Sequence, residues 1–264
     1  MVKKNINKQK HYNRKFIRFF WGSFIFFIIG GFILFFGAAL GIYGPMPDLQ
    51  ELENPKTNLA TQIISADGAI LGKYYFNDNR TPIDFDEIPI HMVDALIATE
   101  DERFYEHSGI DWRGTLRAFI YLGKRGGAST ITQQLARQIF VGIRSRNIFK
   151  TILQKAQEWV IAVQLERRYT KKEILAMYLN KYDFGYQADG IRSAAKIFFN
   201  KIPQQLTIEE SATLVGMLKN SSLYNPIRRP ERVRGRRNIV FRQMYRNKFI
   251  HLKSKTHYQN CLLT

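Results

Sequence analysis

The sequence predicts a mostly α-helical domain that carries a small β hairpin near its start and follows a single transmembrane helix. Three observations support this class. Residues 19–43 form a run of 25 residues without a single charge, directly after a basic N-terminus. Asp67-Gly68 lies between two apolar runs, which is typical of a β-hairpin turn. From residue 87 onward, apolar side chains recur at spacings of three and four, as they do on helices.

The uncharged run is long enough to span a bilayer, because a helix of this length would extend roughly 37 Å at about 1.5 Å per residue. A cleaved signal peptide is the alternative, but its apolar region would be about 7–15 residues long, and no clear small-x-small site precedes a polar segment here. We therefore interpret residues 19–43 as a retained anchor. Residues 1–18 hold seven Lys and Arg residues and no acid. These residues are expected to stay in the cytoplasm. The chain after Tyr43 is then expected on the outer or periplasmic side of the cell (inner) membrane.

The charge of the chain points to an anionic partner. The 264 residues carry a net charge of +18. Beyond the N-terminal tail, the chain contains 33 basic and 22 acidic residues. A solvated basic surface would explain this excess, and so would binding to anionic lipid head groups or to a substrate with a pyrophosphate. Nucleic acid is a poor partner for an exported domain, so we expect none. The single cysteine, Cys261, excludes an internal disulfide.

Three segments follow the anchor. Residues 44–60 contain three prolines and are interpreted as a linker. Residues 61–246 are predicted to form one folded domain, since the helical pattern continues through them without an internal repeat. Residues 247–264 lose clear periodicity and are treated as an atypical tail.

The helical pattern resolves into separate helices. Capping boxes mark two of the starts, at Thr170 with Glu173 and at Thr207 with Glu210. The predicted helices lie near 87–106, 111–123, 130–140, 148–168, 171–181, 189–197, 207–219 and 230–246.

The stretch "EDERFYEH", Glu100 to His107, gathers acid in a basic chain. On a helix over 92–107, Glu100 falls on an apolar stripe, while Glu102 and Glu106 point elsewhere. The stripe contains Val93, Leu96, Ile97 and Phe104. A carboxylate there is costly unless it is paired or protonated. Glu100 is therefore either satisfied by Arg103 or a neighbouring helix cap, or it is a general acid or base in an apolar cleft. A metal site is the weaker interpretation, since His107 is the only nearby nitrogen ligand.

A second candidate lies in "KRGGASTITQQLARQ", Lys124 to Gln138. Ser129 and Thr130 open a helix after two glycines, and free N–H groups at a helix start favour an anion. The hydroxyls and the amides that follow can hydrogen-bond sugar hydroxyls, and Arg137 can hold a phosphate. An ordinary cap and helix is the competing interpretation.

The third candidate is the pair Lys155 and Glu158, one helical turn apart. It is either a weak surface salt bridge or a second carboxylate with a cation, facing Glu100 across a cleft. The neighbouring apolar residues at helical spacing are interpreted as core.

Together these stretches resemble the peptidoglycan glycosyltransferase (transglycosylase) domain of class A penicillin-binding proteins and monofunctional transglycosylases. The resemblance covers roughly Thr61 to Arg242, together with the preceding anchor, and is specific because several blocks occur in order. They are "EDERFYEHSGID", "GGASTITQQLAR", "KAQEWVIAVQLERRYTKKEILAMYLN", "GIRSAAKIFFNK" and "ESATLVGMLKNSSLYNP".

The resemblance implies a lysozyme-like glycosyltransferase fold and lipid II, a lipid-linked disaccharide-peptide, as substrate. It implies that Glu100 is the general base and Glu158 the second carboxylate, near the leaving side of the donor. The residues implied to bind substrate are Asp101, Ser129, Thr130, Gln133, Gln134, Arg137, Lys150 and Lys155. The implied partners are lipid II, the growing glycan chain, the membrane and other cell-wall synthesis proteins. No metal motif is visible, so a divalent cation would stimulate through the pyrophosphate and would not be an obligatory cofactor.

The chain departs from the family pattern at several positions. Lysine at position 150, where the family has arginine, lacks the bidentate fork, so phosphate binding there would differ. The departures are Gln138, Lys150, Gln154, Gln187, Asp189 and Ser221. Neither key glutamate is among them.

The sequence leaves two alternative functions and two interpretations of residues 247–264 undecided. A lysozyme-like, glycan-cleaving enzyme would also place an acidic residue in an α-helical cleft, but it would not need the cations at Lys155 and Arg137. An inactive truncated copy would act as a lipid II-binding scaffold, and it would be expected to lack a catalytic carboxylate. The tail fits either a monofunctional enzyme or a truncated or frame-disrupted copy of a bifunctional one.

Overall fold

A computed structural model describes residues 2–43, 61–66, 70–74, 82–121, 127–142 and 145–260. These residues fall into two compact units. The smaller unit contains the N-terminal helix and residues 145–160, and the larger unit contains the described residues before and after that segment, from 61 to 260. The predicted linker at 44–60 and the predicted turn at Asp67-Gly68 lie outside the described residues, and the predicted domain limits stay predictions.

The described part of the chain is mostly α-helical, as the sequence predicted. Its helices are α1 (Val2–Ala39), α2 (Ile90–Glu100), α3 (Trp112–Ile120), α4 (Ile131–Ala136), α5 (Ile148–Arg168), α6 (Lys171–Lys181), α7 (Gly190–Phe199), α8 (Ile208–Met217), α9 (Pro230–Arg246) and α10 (Leu252–Asn260). Two strands, β1 (Thr61–Ile64) and β2 (Ile70–Tyr74), pair antiparallel, with Thr61 opposite Tyr74 and a register shift between Ile63 and Ile64. Both predicted capping boxes are formed, at the starts of α6 and α8.

Helix α1 contains one apolar segment, Arg14–Ala39, that is long enough to cross a membrane by length and composition. A core helix of a soluble protein would pass the same test, but most of this segment is exposed, since Phe26 and Phe27 are 73% and 75% exposed and burial is confined to Gly37 and Ala38 near its end. The regular helix stops at Ala39, so it ends earlier than the predicted limit at Tyr43. Helix α1 therefore presents an apolar surface that suits a lipid environment.

The structure corrects the predicted helix at 87–106. Helix α2 ends at Glu100, and Phe104–Glu106 forms a separate 3₁₀ turn. Asp101 leaves the helical conformation, with φ −157° and ψ 77°. Its carboxylate accepts a hydrogen bond from the backbone N–H of Ile131 and contacts Nε2 of His107, both at 3.1 Å. Tertiary contacts of one side chain thus end the helix, although Phe104 beyond it is still fully buried.

The core of the larger unit is built around α8. All seven residues from Ser211 to Met217 are buried, so this helix is enclosed on every side. Helices α2 and α9 pack on α8 and on each other. Core side chains from these three helices include Met92, Leu96, Leu214, Val215, Val240 and Phe241. This packing brings the C-terminal end of α2, where Glu100 lies, against α9.

Two further segments differ from the prediction. The helix predicted at 130–140 is α-helical only to Ala136 and continues as a π-helical turn, Arg137–Val141. The segment interpreted as an irregular tail contains α10, which packs on α9 through the rings of Tyr258 and Phe241, whose centroids are 5.5 Å apart. Helix α10 reads "LKSKTHYQN", which has too few apolar residues to show helical periodicity.

Candidate functional site

A polar cleft of about 330 Å³ lies in the larger unit, where the end of α2, the start of α4 and the end of α9 meet. Its lining mixes carboxylates, guanidinium groups, hydroxyls and amides, which suits a hydroxyl-rich ligand better than an apolar one. The residues that line it include Glu100, Asp101, Glu102, Arg103, Ser129, Thr130, Gln134, Gln243 and Arg246.

Glu100, the last residue of α2, presents its carboxylate to this cleft with 16% of the side chain exposed. Nε2 of Gln134 donates a hydrogen bond to Oε2 of Glu100 at 3.1 Å. Nη2 of Arg236 lies 3.8 Å from Oε1. A pairing with Arg103 was one alternative for Glu100, and it is not formed, because Arg103 contacts Glu102 at 2.9 Å and Asp111 at 2.5 Å. Glu100 is thus an accessible carboxylate held by amide and guanidinium groups.

Asp101 borders the cleft, but its side chain is only 4% exposed. Both of its oxygens are engaged by the protein, since Oδ2 accepts from the N–H of Ile131 and both oxygens lie 3.1 Å from Nε2 of His107. Asp101 therefore joins the end of α2 to the start of α4. This position favours a role in setting the shape of the cleft over direct contact with a sugar.

Thr130 and Gln133 are buried and bind the same carbonyl group. Oγ1 of Thr130 donates to the carbonyl oxygen of Gly109 at 2.8 Å, and Nε2 of Gln133 donates to it at 3.1 Å. Gly109 has φ +87°, and a Cβ there would lie 2.9 Å from the backbone of Ala162, so no other residue fits without a shift. The two polar side chains thus fix the loop that precedes α3, while Ser129 lines the cleft.

Arg137 begins the π-helical turn and is half-buried. Its charge acts on two tyrosines, the buried Tyr178 and the half-buried Tyr182. Burial raises the pKa of Tyr178 and Tyr182, the negative charge of Glu100 raises both further, and Arg137 partly offsets this. Arg137 therefore lies within electrostatic reach of the same two phenols as Glu100. Single π-helical turns are frequent at functional sites.

Lys150, Lys155 and Glu158 belong to the smaller unit and lie on the first half of α5. Nζ of Lys155 is 2.8 Å from Oε2 of Glu158, so the predicted pair is formed. Glu158 is only 1% exposed, and among the described residues its Oε1 has no hydrogen-bond partner. Lys150 is exposed. A buried carboxylate with one unsatisfied oxygen is unlike the surface salt bridge that was the alternative, while the expectation that Glu158 faces Glu100 stays a prediction.

Comparisons with known proteins identify one family. A family model described as "Transglycosylase" matches residues 67–245, which is more than half of the chain. The chain belongs to the transglycosylase family. Penicillin-binding protein 1A of Escherichia coli (strain K12) is 39% identical to this transglycosylase over 234 residues, covering 87% of the chain and 27% of that protein. Penicillin-binding protein 1F of Bacillus subtilis (strain 168) is 39% identical over 198 residues, covering 74% of the chain and 27% of that protein.

This transglycosylase spans about a quarter of the length of these curated relatives. Among solved structures, the crystal structure of penicillin-binding protein 1A from Haemophilus influenzae is 24% identical and matches with a TM-score of 0.45, covering 79% of the chain and 21% of that chain. The family membership confirms the resemblance drawn from the sequence blocks. The roles of individual residues stay predictions.

Two departures of this transglycosylase from the family pattern lie in one irregular loop. Tyr186 and Gln187 have φ values of 58° and 61°, which are left-handed, and Asp183 and Asp189 form an isolated antiparallel bridge around them. The resemblance drawn from the sequence implies glycine at the position of Gln187. The backbone at position 187 is in the left-handed region, where a side chain is strained and glycine is not.

Several contacts that hold the larger unit together around the cleft were not predicted from the sequence. Oγ1 of Thr132 donates to Glu166 at 2.6 Å, and Lys171 contacts Glu166 at 2.8 Å and the carbonyl oxygen of His107 at 2.6 Å. Arg236 and Tyr178 were missed as well. A charged residue inside an apolar helical stripe was a usable signal for Arg236, whereas nothing in the local pattern marks the other contacts, which join distant parts of the chain.

The described residues contain no group of three or more His, Cys, Asp or Glu side chains that could hold a metal ion.

Proposed function

We propose that this chain is a membrane-anchored peptidoglycan glycosyltransferase that polymerises lipid II into β-1,4-linked glycan strands. The observation that carries the proposal is the carboxylate of Glu100, partly exposed in a polar cleft and held from one side by the amide of Gln134. Membership of the transglycosylase family supports the same chemistry.

Glu100 serves as the general base in this mechanism. Its carboxylate takes the proton from the 4-hydroxyl of the acceptor sugar as that oxygen attacks the anomeric carbon of the growing chain. The new C1–O4 bond forms as the bond from C1 to the pyrophosphate oxygen breaks, and undecaprenyl pyrophosphate leaves. A single displacement of this kind inverts the configuration at C1. Glu100 suits the role because its side chain is open to the cleft, unlike that of Asp101.

The leaving group needs cations more than it needs a proton donor, because a pyrophosphate departs already charged. Lys155, Lys150 and Arg137 are proposed to neutralise that charge. Glu158 holds the ammonium group of Lys155 at 2.8 Å, so it sets where this cation is presented. A divalent cation would add to this effect through the pyrophosphate and is not required as a resident cofactor.

The basic residues before the apolar segment favour an orientation in which the N-terminus stays in the cytoplasm and the larger unit lies on the outer side of the membrane.

Helix α3 offers a further apolar surface, since four of its side chains are 60–79% exposed at helical spacing. They are Trp112, Leu116, Phe119 and Ile120. An enzyme held at the bilayer in this way meets its lipid substrate there, beside other cell-wall synthesis proteins.

The direct test is incubation of the detergent-solubilised full chain with labelled lipid II, followed by sizing of the glycan products. The proposal predicts long lipid-linked strands that a muramidase degrades. A protein that leaves lipid II unchanged but shortens purified glycan would instead be a glycan-cleaving enzyme, and one that binds lipid II without either reaction would be a scaffold.

A further inference from the structure

A chain of two hydrogen bonds connects a buried tyrosine to Glu100. The hydroxyl of Tyr178 donates to Oε1 of Gln134 at 3.0 Å, and Nε2 of Gln134 donates to Oε2 of Glu100 at 3.1 Å. Tyr178 lies on α6, Gln134 on α4 and Glu100 at the end of α2. Three helices that are distant in sequence therefore meet in one line of donors and acceptors that ends at the cleft.

From this arrangement we infer that Tyr178 is a positioning residue for the general base, acting through the side-chain amide of Gln134. The inference rests on the proposed role of Glu100. Tyr178 does not line the cleft, so it acts on the reaction only through Gln134.

The direction of the two hydrogen bonds follows from the groups involved. An ionised carboxylate can only accept, so the amide of Gln134 must turn its nitrogen towards Glu100. Its oxygen then faces Tyr178 and needs a donor. The phenol supplies one because it stays protonated, since burial and the charge of Glu100 raise the pKa of Tyr178. A flipped amide would place its oxygen against the carboxylate oxygen of Glu100, with two acceptors facing each other.

The burial of Tyr178 restricts the side-chain amide of Gln134 to this orientation. Its side chain is fully buried, and its ring lies 6.3 Å from that of Tyr182. A buried hydroxyl cannot exchange its partner for water, so it holds the amide oxygen of Gln134 in place. The carboxylate of Glu100 is then fixed by Gln134 on Oε2, with Arg236 3.8 Å from Oε1. Gln134 thus aims the base, which differs from the sugar-binding role that the sequence predicted for it.

The test is Tyr178→Phe in the full detergent-solubilised chain, with lipid II as the substrate. Loss of one oriented hydrogen bond should lower kcat about three- to tenfold. KM should stay within about twofold, because the substrate never touches Tyr178. The matched control is Tyr182→Phe, which also removes a hydroxyl from a largely buried tyrosine but takes it from the carbonyl groups of Met217 and Leu218. That control should retain kcat even if both variants lose thermal stability.

A double-mutant cycle separates positioning from general loss of packing. In a Gln134→Ala background, Tyr178→Phe should cause no further loss of kcat, because the link to Glu100 is already gone. Losses that multiply, or a Tyr178→Phe variant with the kcat of the wild type, would overturn the inference.

A second measurement needs no substrate. Nuclear magnetic resonance can follow the exchange of the side-chain amide protons of Gln134 with water, which should be slow in the wild type and faster in Tyr178→Phe. Equal exchange rates in both proteins would overturn the positioning role even if lipid II proves not to be the substrate. A failure of the wild type to polymerise lipid II, together with the expected change in exchange rate, would contradict only the proposed function.

Discussion

Gln133 and Gln134 are neighbours in the sequence, but their side chains have different tasks. Gln133 is buried and donates to the carbonyl oxygen of Gly109, so it stabilises a loop. Gln134 donates to Glu100 at the cleft. Residues adjacent on a helix point about 100° apart, which is why one of the two glutamines is turned to the interior and the other to the cleft. The sequence could predict the block, but not which of the two glutamines reaches Glu100.

At the same scale, we expect Gln187→Gly to stabilise the protein. Gln187 has φ 61°, and a residue other than glycine in that conformation costs about 1 kcal/mol. The melting temperature of the full chain should rise by a few degrees, as measured by differential scanning fluorimetry. The control is Gln205→Gly, an exposed position outside the left-handed residues, where glycine should lower the melting temperature. A lower melting temperature for Gln187→Gly would contradict the strain argument.

Helix ends were harder to predict than helices. The periodicity of α5, α6 and α9 predicted their bounds as the structure has them, because their apolar faces continue to the last turn. Helix α2 was predicted too long, because it ends where Asp101 turns away to bind Ile131 and His107. A long-range hydrogen bond leaves no trace in local periodicity. The same cause hid Tyr178 from the predicted site.

The carboxyl group of Asp111, at the start of α3, should make the free energy of unfolding depend on pH. Burial raises the pKa of Asp111, but the hydrogen bonds from Arg103 and from the N–H of Gly114, with the charge of Arg103, outweigh it and lower the pKa overall. A carboxyl whose pKa is lowered on folding stabilises the protein above its unfolded value and loses this effect as the pH falls through the folded value. Stability should therefore drop below about pH 4.

The variant Asp111→Asn should show a shallower loss of stability with acid than the wild type. Asparagine can still accept from Gly114 as an N-cap but cannot pair with the charge of Arg103. Melting temperatures of the full chain between pH 6 and pH 2.5 would check this. Parallel curves for the two proteins would show that Asp111 does not carry the effect.

For the whole molecule, composition and periodicity were sufficient to predict the class. The uncharged run predicted α1, and the long periodic segments predicted the α-helical body. Helix α10 was missed because it is polar and depends on packing against α9. The arrangement of the cleft was also beyond the sequence, since it depends on how α2, α4 and α9 pack.

Membrane orientation can be tested with the single cysteine of the chain, Cys261. If residues 19–43 span the membrane with the N-terminus inside, a membrane-impermeant maleimide should label Cys261 in intact spheroplasts. A variant with Asn5→Cys and Cys261→Ser should be labelled only after lysis. Labelling of Asn5→Cys in intact spheroplasts would contradict the proposed orientation.

The proposed role of Glu100 as the base of glycan polymerisation can be tested by comparing two glutamate variants. Glu100→Gln and Glu106→Gln each remove one carboxylate from the same short stretch, but the side chain of Glu106 is 63% exposed and lies away from the cleft that Glu100 enters. Glycan sizing after incubation with labelled lipid II should show at least about a hundredfold loss of polymer for Glu100→Gln and near-normal polymer for Glu106→Gln. Normal polymer from a folded, membrane-inserted Glu100→Gln variant would contradict the claim.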